Sequence, residues 1–313
     1  MQRERKRPAA FGEITIVLSL CLPLSAQWIN YPTAGVPRTA DGKPNLAAPA
    51  PKAADGKPDL SGIWGWEDNR PCPPDGCPDQ KVGQEFINIG WGLQGGLPYQ
   101  PWAAALVKQN RENNAKNDPQ NFCLPRGALR IHTDGLFKKI VQVPGLVVIL
   151  TERGASYRQI FTDGRPLPAD PQPSFHGYSS GKWEGDTLVV QTAGFRDDLW
   201  LDSGGSPLTG AAKVIERFRR PSFGKLEIEI TVDDPKVYTA PWTAEFEWTR
   251  NEEYRLYEFA CHEGNQVREM IAGSRAERGL GLTIPRGTGN YQQDGTGKWP
   301  YPPPDNPAGE QRQ

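Results

Sequence analysis

Few of the residue types that carry catalysis are grouped in this sequence. The three histidines, His132, His176 and His262, form no H-x-x-x-H or H-E-x-x-H pattern, so the sequence predicts no metal site. Residues 177–181 match G-x-S-x-G around Ser179. A nucleophile elbow requires a helix after the serine, and the residues that follow are instead typical of a hairpin. We therefore expect Ser179 and the histidines to be structural.

A better candidate site is a set of charged and aromatic residues near the ends of predicted strands. They are Arg158, Asp163, Arg165, Trp183, Trp200, Asp202 and Trp242. Indole rings with a few charges at a barrel mouth suit a small organic ligand, so we predict that these side chains lie together, partly exposed, at one mouth. The alternative is that Arg–Asp pairs anchor loops while the indoles fill the interior.

Four cysteines follow the N-terminal apolar run: Cys72, Cys77, Cys123 and Cys261. In an oxidising compartment an even number of cysteines predicts disulfides. The turn residues between the first two favour a Cys72–Cys77 bond, which leaves Cys123–Cys261 as the second. A zinc site is the alternative, but no second close pair supplies the remaining ligands.

The N-terminus has the pattern of an export signal. Residues 1–7 are basic, residues 14–24 form an eleven-residue apolar run that is too short to span a bilayer, and Ala26 suits a signal peptidase. We therefore expect a periplasmic or secreted protein without a transmembrane segment. The chain has 36 basic and 37 acidic residues and no basic stripe, which argues against a nucleic-acid partner.

Composition divides the chain into four segments. The central part is rich in apolar residues, whereas its flanks are rich in Pro, Gly and polar residues and cannot bury enough apolar surface to offset the entropy of ordering. The predicted segments are a signal peptide at 1–26, a Pro/Ala-rich linker at 27–57, a single β-barrel domain at 58–284 and a disordered tail at 285–313.

Within the central segment the hydrophobic pattern has a period of two. Turn dipeptides such as Pro144-Gly145 and Gly185-Asp186 separate the alternating runs, and one helix is predicted over 101–114. Strands are predicted at 61–66, 137–143, 146–152, 156–163, 178–184, 187–193, 212–220, 225–233, 243–250 and 254–261. Successive hairpins predict an all-β fold. We expect an antiparallel meander of about nine or ten strands, closed into a lipocalin-like barrel, with one N-terminal helix and irregular loops.

The hairpin of 212–220 and 225–233 also has a predicted register. If Arg220 pairs with Gly224, Phe218 lies opposite Leu226, and apolar residues meet apolar residues along one face.

Six segments of the sequence resemble a large family of exported bacterial proteins. These segments are residues 58–64 (PDLSGIW), 157–165 (YRQIFTDGR), 183–190 (WEGDTLVV), 200–202 (WLD), 216–220 (ERFRR) and 233–242 (DDPKVYTAPW). The resemblance covers about residues 58–264 and implies export without implying an activity. The Gly-x-Trp opening followed by a meander is also similar to the calycin superfamily of lipocalin-like barrels.

The sequence thus favours an exported small-molecule-binding module whose ligand is not identified, with no cofactor. Two alternatives stay open at this point. One is an enzyme with an Asp/Arg/Tyr acid–base site in the barrel mouth, and the other is a structural protein of the cell envelope. A shifted pKa in a deep Arg–Asp pair would favour the enzyme, and a filled barrel would favour the structural protein.

Overall fold

The structure is a computed structural model that describes residues 33, 35–67, 89–90, 93–113, 115–154, 156–252 and 254–257. The chain divides into two compact units at Gly35 and Val36, and the second unit contains every element described below. The predicted signal peptide and the C-terminal tail lie outside the described residues.

The elements follow one another in chain order as strands with few helices. They are β1 (Gly62–Glu67), α1 (Pro101–Glu112), a 3-10 helix (Pro119–Phe122), α2 (Gly127–Arg130), a 3-10 helix (Ile131–Thr133), β2 (Lys138–Val143), β3 (Leu146–Thr151), β4 (Tyr157–Phe161), β5 (Tyr178–Glu184), β6 (Thr187–Ala193), β7 (Leu199–Trp200), β8 (Pro207–Leu208), β9 (Lys213–Ser222), β10 (Lys225–Asp233) and β11 (Trp242–Arg250). None of these helices is long and apolar enough to cross a membrane.

Nine of the strands close into one barrel, in the order β1-β11-β10-β9-β6-β5-β4-β3-β2, while β7 and β8 form a separate two-stranded sheet. The all-β barrel prediction is confirmed. The predicted antiparallel arrangement is wrong at one position, because β4 and β5 run parallel. The number of strands explains this exception: strand direction alternates in an antiparallel ring, so a closed ring of nine must contain a parallel pair.

The alternation of the strands determines what fills the barrel. On β9 the buried positions are Val214, Glu216, Phe218 and Arg220, and the exposed residues between them are mostly charged. On β10 every buried position carries an aliphatic side chain, ending with Val232. Strands of this kind have one buried face and one solvent-exposed face. When they close into a ring, the apolar faces point inward.

The β9–β10 register differs from the predicted one by two residues. Phe218 lies opposite Ile228, and Ser222 lies opposite Lys225 after a shift in the pairing. An even shift leaves the same side chains on the inner face, so the face assignment was correct while the partners were not. The observed turn has two residues, Phe223 and Gly224, and the N–H of Phe223 donates to the carbonyl oxygen of Ala48 at 2.7 Å.

The strand predicted at 254–261 is not formed over 254–257, and its remaining residues lie outside the described ones. The edge of β11 that it was expected to cover pairs with β1 instead. The short strands β7 and β8 were not predicted. Helix α1 begins at the predicted proline and ends at Glu112.

Residues that the sequence assigned to a linker contact the β9–β10 turn. Gly224 donates its N–H to the carbonyl oxygen of Leu46 at 2.8 Å, and Pro49 forms an isolated bridge with Ser222. Farther along, the backbone N–H of Leu60 donates to Gln142 at 2.9 Å. The segment 46–60 therefore lies against this end of the barrel.

The substitution Gly224→Ala tests this contact. A Cβ at residue 224 would lie 2.4 Å from the Cβ of Leu46 and 2.9 Å from its Cα, so the segment must move away. We expect the free energy of unfolding, measured in urea, to fall by ~1–3 kcal/mol, as for other overpacked sites. Ser222→Ala in the same turn adds no atom and should leave stability near that of the wild type. Equal stability of the two variants would show that residues 46–49 do not lie here in solution.

Candidate functional site: a polar cluster inside the barrel

A cluster of polar side chains lies in the barrel interior among apolar ones. Its members are His132, Arg158, Ser179, Thr192 and Glu216, which come from the 3-10 helix Ile131–Thr133 and from β4, β5, β6 and β9. On each strand the residue occupies an inward position of the alternating pattern. Sheet pairing places Ser179 opposite Thr192 of β6 and opposite Ile160 of β4, two residues after Arg158.

Arg158 and Glu216 form an ion pair at the centre of this cluster. The guanidinium donates to Oε1 of Glu216 at 2.8 Å and makes a second, shorter contact to Oε2. Its other donors reach Oγ of Ser179 at 3.1 and 3.3 Å and Oγ1 of Thr192 at 2.9 Å. Arg158 is 1% exposed and Glu216 0%, so this pair is removed from solvent, and each partner has hydrogen bonds to several neighbours.

His132 extends the pair on the Glu216 side. Its Nε2 lies 2.7 Å from Oε1 of Glu216, and a carboxylate oxygen only accepts, so Nε2 carries the proton. The ring is stacked on Trp248 with centroids 5.3 Å apart. Nδ1 of His132 and Nε1 of Trp248 are both buried without a hydrogen-bond partner among the described residues. The neutral ring therefore presents an unprotonated nitrogen to a shielded region.

His176 lies on the Arg158 side of the cluster. It precedes Gly177, whose φ of 61° and close approach to Ala193, 2.8 Å from a Cβ to the carbonyl oxygen, admit only glycine. Both ring nitrogens of His176 are shielded from solvent and have no hydrogen-bond partner among the described residues. Buried polar atoms are normally paired, so this ring is an exception that requires an explanation.

Burial and the ion pair fix the charges of the cluster at neutral pH. Burial by itself raises the pKa of Glu216, but the charge and hydrogen bonds of Arg158 outweigh this and lower it to about 2. Burial, followed by the charge of Arg158, lowers the pKa of His176 to about 4. Burial also lowers the pKa of His132, despite the opposing effect of Glu216. The carboxylate is therefore ionised and both imidazoles are neutral.

The barrel wall beside Arg158 is held by few pairs. The parallel strands β4 and β5 pair only at Ile160–Ser179 and Phe161–Ser180, whereas β5 and β6 pair at seven positions. Before β5 the chain pairs on the β6 side instead of the β4 side, because Ser174 forms an isolated bridge with Phe195, two residues after the end of β6. Arg158 precedes the paired part of β4 and His176 precedes that of β5, so both flank the unpaired part of this seam.

The residues that the sequence grouped into one mouth occupy three environments. Arg158 is inside the barrel, whereas Asp163 and Arg165 form an exposed ion pair at 2.6 Å. No hydrogen bond or ion pair among the described residues links that pair to Arg158 or Asp202. The predicted partial exposure is wrong for Arg158 and Asp202, because β4 directs residue 158 inward and Asp202 is fully buried.

Asp202 anchors a loop. Its carboxylate accepts hydrogen bonds from the N–H of Ser206 at 3.1 Å, from the hydroxyl of Ser206 at 2.6 Å and from the N–H of Ile89 at 3.1 Å. The Ser206 hydroxyl in turn lies 2.7 Å from the hydroxyl of Tyr99. This network of three accepted hydrogen bonds fits the loop-anchor alternative for Asp202.

Two of the three predicted tryptophans belong to the apolar core or its margin. Trp242 is 5% exposed and packs edge-on against Tyr238 at 5.6 Å, and Trp183 packs against the core. These two fit indoles that fill the interior, whereas Trp200 is half-buried on the separate β7–β8 sheet. Among the described residues no group of three or more histidines, cysteines or acids could hold a metal. Cys72, Cys77 and Cys261 lie outside the described residues, so both disulfide pairings stay predictions.

Glu216, His132 and His176 were missed as site residues. A signal for Glu216 was present, because it occupies an inward position between Val214 and Phe218 in an otherwise apolar alternation. Arg158, next to Ile160 on the same face of β4, carries the same signal with the opposite charge. His132 lies outside any strand, and no local pattern indicates that it enters the barrel.

The fold and the cluster together define a closed mixed β-barrel with a charge-paired polar interior. No family model matches the sequence, and no curated protein matches it.

Arg158→Met tests whether the ion pair is structural. The variant leaves the Glu216 carboxylate buried with His132 as its remaining partner, and breaking a buried pair from one side costs ~3–5 kcal/mol of unfolding free energy. The double variant Arg158→Met/Glu216→Leu should recover a large part of this loss. Arg165→Met, which removes an exposed pair, is the matched control and should change stability little. A double variant no more stable than Arg158→Met would contradict a coupled pair.

Stability should fall as the pH is lowered from 6.5 to 5. Unfolded histidine takes up a proton near pH 6.5, but burial keeps His176 neutral down to about pH 4 in the folded protein. The unfolded state thus binds more protons in this window, which gives a slope of up to ~1.4 kcal/mol per pH unit for one histidine. Urea unfolding at several pH values should show a smaller slope for His176→Gln. An unchanged slope would mean that the ring is solvated.

Proposed function

We propose that this chain is an exported binding module whose ligand is a small molecule held at the Arg158 side of the polar cluster. The observation that carries the proposal is His176, whose two ring nitrogens are shielded from solvent and have no hydrogen-bond partner among the described residues, while the charge of the buried Arg158 acts on the ring. A ligand that pairs with both nitrogens would remove the cost of burying them, which is ~1–3 kcal/mol for each unpaired polar group.

The seam between β4 and β5 supports a path to this position. Backbone pairing there is limited to two residues in each strand, so separation of the strands breaks fewer hydrogen bonds than elsewhere in the wall. Arg158 and His176 lie next to the unpaired part of the seam. Export is supported by the signal pattern at residues 1–26 and by the resemblance to exported bacterial proteins.

A second candidate is an enzyme that uses His132 as a general base. Glu216 fixes the proton on Nε2 and leaves Nδ1 as the unprotonated nitrogen, which is the arrangement by which a carboxylate orients a catalytic histidine. His132 is 0% exposed and stacked against Trp248, so a substrate would have to displace core side chains to reach it. His176 is partly exposed, and its ring lacks the carboxylate partner that His132 has among the described residues, so binding at His176 is the proposal we favour.

Extraction of small molecules from the purified full-length protein tests the binding proposal. Protein isolated from bacterial cells is washed, denatured in organic solvent and analysed by mass spectrometry. We expect one compound in near-stoichiometric amount in the wild type and at least about tenfold less in His176→Ala, because loss of one shielded hydrogen bond weakens binding by ~1–3 kcal/mol.

Arg165→Ala is the control for this extraction, since Arg165 lies on the surface next to Asp163 and outside the cluster. It should retain the compound at the wild-type level. A wild-type protein that yields no compound, or a His176→Ala variant that retains it in full, would contradict the proposal. Chemical conversion of the bound compound on standing would favour the enzyme instead.

A further inference from the structure

We propose that the side-chain amine of Lys138 is a covalent attachment site for a small aldehyde, which it holds as an imine. Lys138 is not a member of the polar cluster described above, and its reaction does not depend on binding at His176. Three properties of the lysine support the proposal: its position inside the barrel, the contacts of its Nζ and the charges around it.

Lys138 occupies an inward position at the start of β2. Strand parity places it on the same face as Ile140 and on the opposite face from Lys139, which is exposed. Lys138 is 1% exposed, and the residues opposite it in the sheet are Trp64 of β1 and Thr151 of β3. Lysine is almost never fully buried unless its charge is paired, so this position requires an explanation.

The contacts of Nζ do not include a carboxylate. Nζ donates to the backbone carbonyl oxygen of Asp134 and lies 5.3 Å from the centroid of the Trp248 ring, and no acidic side chain among the described residues forms an ion pair with it. The carboxylate of Asp134 contacts two arginines instead, Nη1 of Arg126 at 3.0 Å and Nε of Arg153 at 3.4 Å. A neutral amine can donate the hydrogen bond that Nζ makes, whereas an ammonium group would have two further protons to satisfy.

The two guanidinium groups beside Asp134 disfavour a third positive charge at Nζ. Burial, followed by the charges of Arg126 and Arg153, lowers the pKa of Lys138 to about 7. The charges of Asp134 and Glu152 oppose this shift but do not outweigh it. A desolvated lysine close to other cations is a form in which lysine acts as a nucleophile at neutral pH.

An aldehyde is the class of compound that a neutral lysine amine captures without an oxidant or a cofactor. The lone pair of Nζ attacks the carbonyl carbon, a C=N bond replaces the C=O bond, and the carbonyl oxygen leaves as water with the two protons of the amine. Burial then protects the product, because a site that excludes water slows hydrolysis of the imine. His132, which contacts the same Trp248 ring as Nζ, is neutral and adds no charge to the site.

Nζ is buried but close to solvent. The carbonyl oxygen that it contacts belongs to the peptide bond between Asp134 and Gly135, and Gly135 is exposed. The next two residues, Leu136 and Phe137, are half-buried and lead directly into β2. A small aldehyde therefore needs only this turn to open in order to reach the amine.

Reductive trapping on the folded full-length protein tests the proposal. The protein is incubated at pH 7 with propanal and sodium cyanoborohydride, which reduces the imine to a stable secondary amine, and the modified lysines are located by mass spectrometry of peptides. We expect Lys138 to acquire a propyl group at least about tenfold faster than Lys139, because an exposed lysine is almost entirely protonated at pH 7. In protein unfolded with urea, the two lysines should react at equal rates.

The comparison of the two lysines needs no variant, so it does not depend on whether a substitution at residue 138 folds. Labelling of Lys138 no faster than that of Lys139 in the folded protein overturns the proposal. A difference that persists in urea also overturns it, since that difference would come from the local sequence and not from burial. Lys139→Arg is the matched control on the same strand and should leave the labelling rate of Lys138 unchanged.

His176→Ala separates this site from the binding proposal. Lys138 should be labelled in this variant at the wild-type rate, whether or not a compound is recovered by extraction from the wild type. Loss of the label in His176→Ala would show that the aldehyde reaches Lys138 only through the polar cluster, which overturns the assignment of an independent site.

Discussion

The buried ion pair between Arg158 and Glu216 is the interaction on which the interior of the barrel depends. It spans from β4 to β9, which are not neighbours in the sheet, and it collects two hydroxyls and an imidazole around it. An apolar interior tolerates small shifts of its strands, but a charged pair does not, since each charge is costly unless the other is within reach. We therefore expect the pair to favour one closed arrangement of the strands. The double variant Arg158→Met/Glu216→Leu tests this expectation.

Closure imposes a second constraint. A ring of nine strands must contain a parallel pair, and a parallel pair cannot be joined by a tight turn. The chain between Phe161 and Tyr178 makes this connection, and the strands that it joins pair at only two positions. The weakest seam of the wall is thus a consequence of strand number. Arg158 and His176 precede the paired parts of these two strands, so the topology and the candidate site are linked.

Much of the fold was predictable because short-range sequence patterns determine where its strands and turns lie. Turn dipeptides and a period of two gave β5, β6 and β10 with the observed bounds. The β9–β10 register was missed by two residues, because an even shift keeps the same side chains on the inner face and the alternation therefore does not distinguish the two registers. A long-range pairing explains the strand predicted after β11, whose place beside β11 is taken by β1, almost two hundred residues earlier in the chain.

The candidate site was less predictable for a related reason. Grouping charges by their distance from strand ends placed Arg158 with Asp163 and Arg165, yet adjacent positions on a strand face opposite sides of the wall. Parity along each strand is the better guide, because it assigns Arg158 and Glu216 to the interior, whereas Arg165 lies beyond the end of β4. Two opposite charges at inward positions of different strands must meet or remain unpaired, and the second outcome is too costly to persist in a folded core. That rule predicts a buried ion pair of Glu216 but does not by itself choose Arg158 over Arg220, and it does not reach His132 and His176, which lie outside the strands.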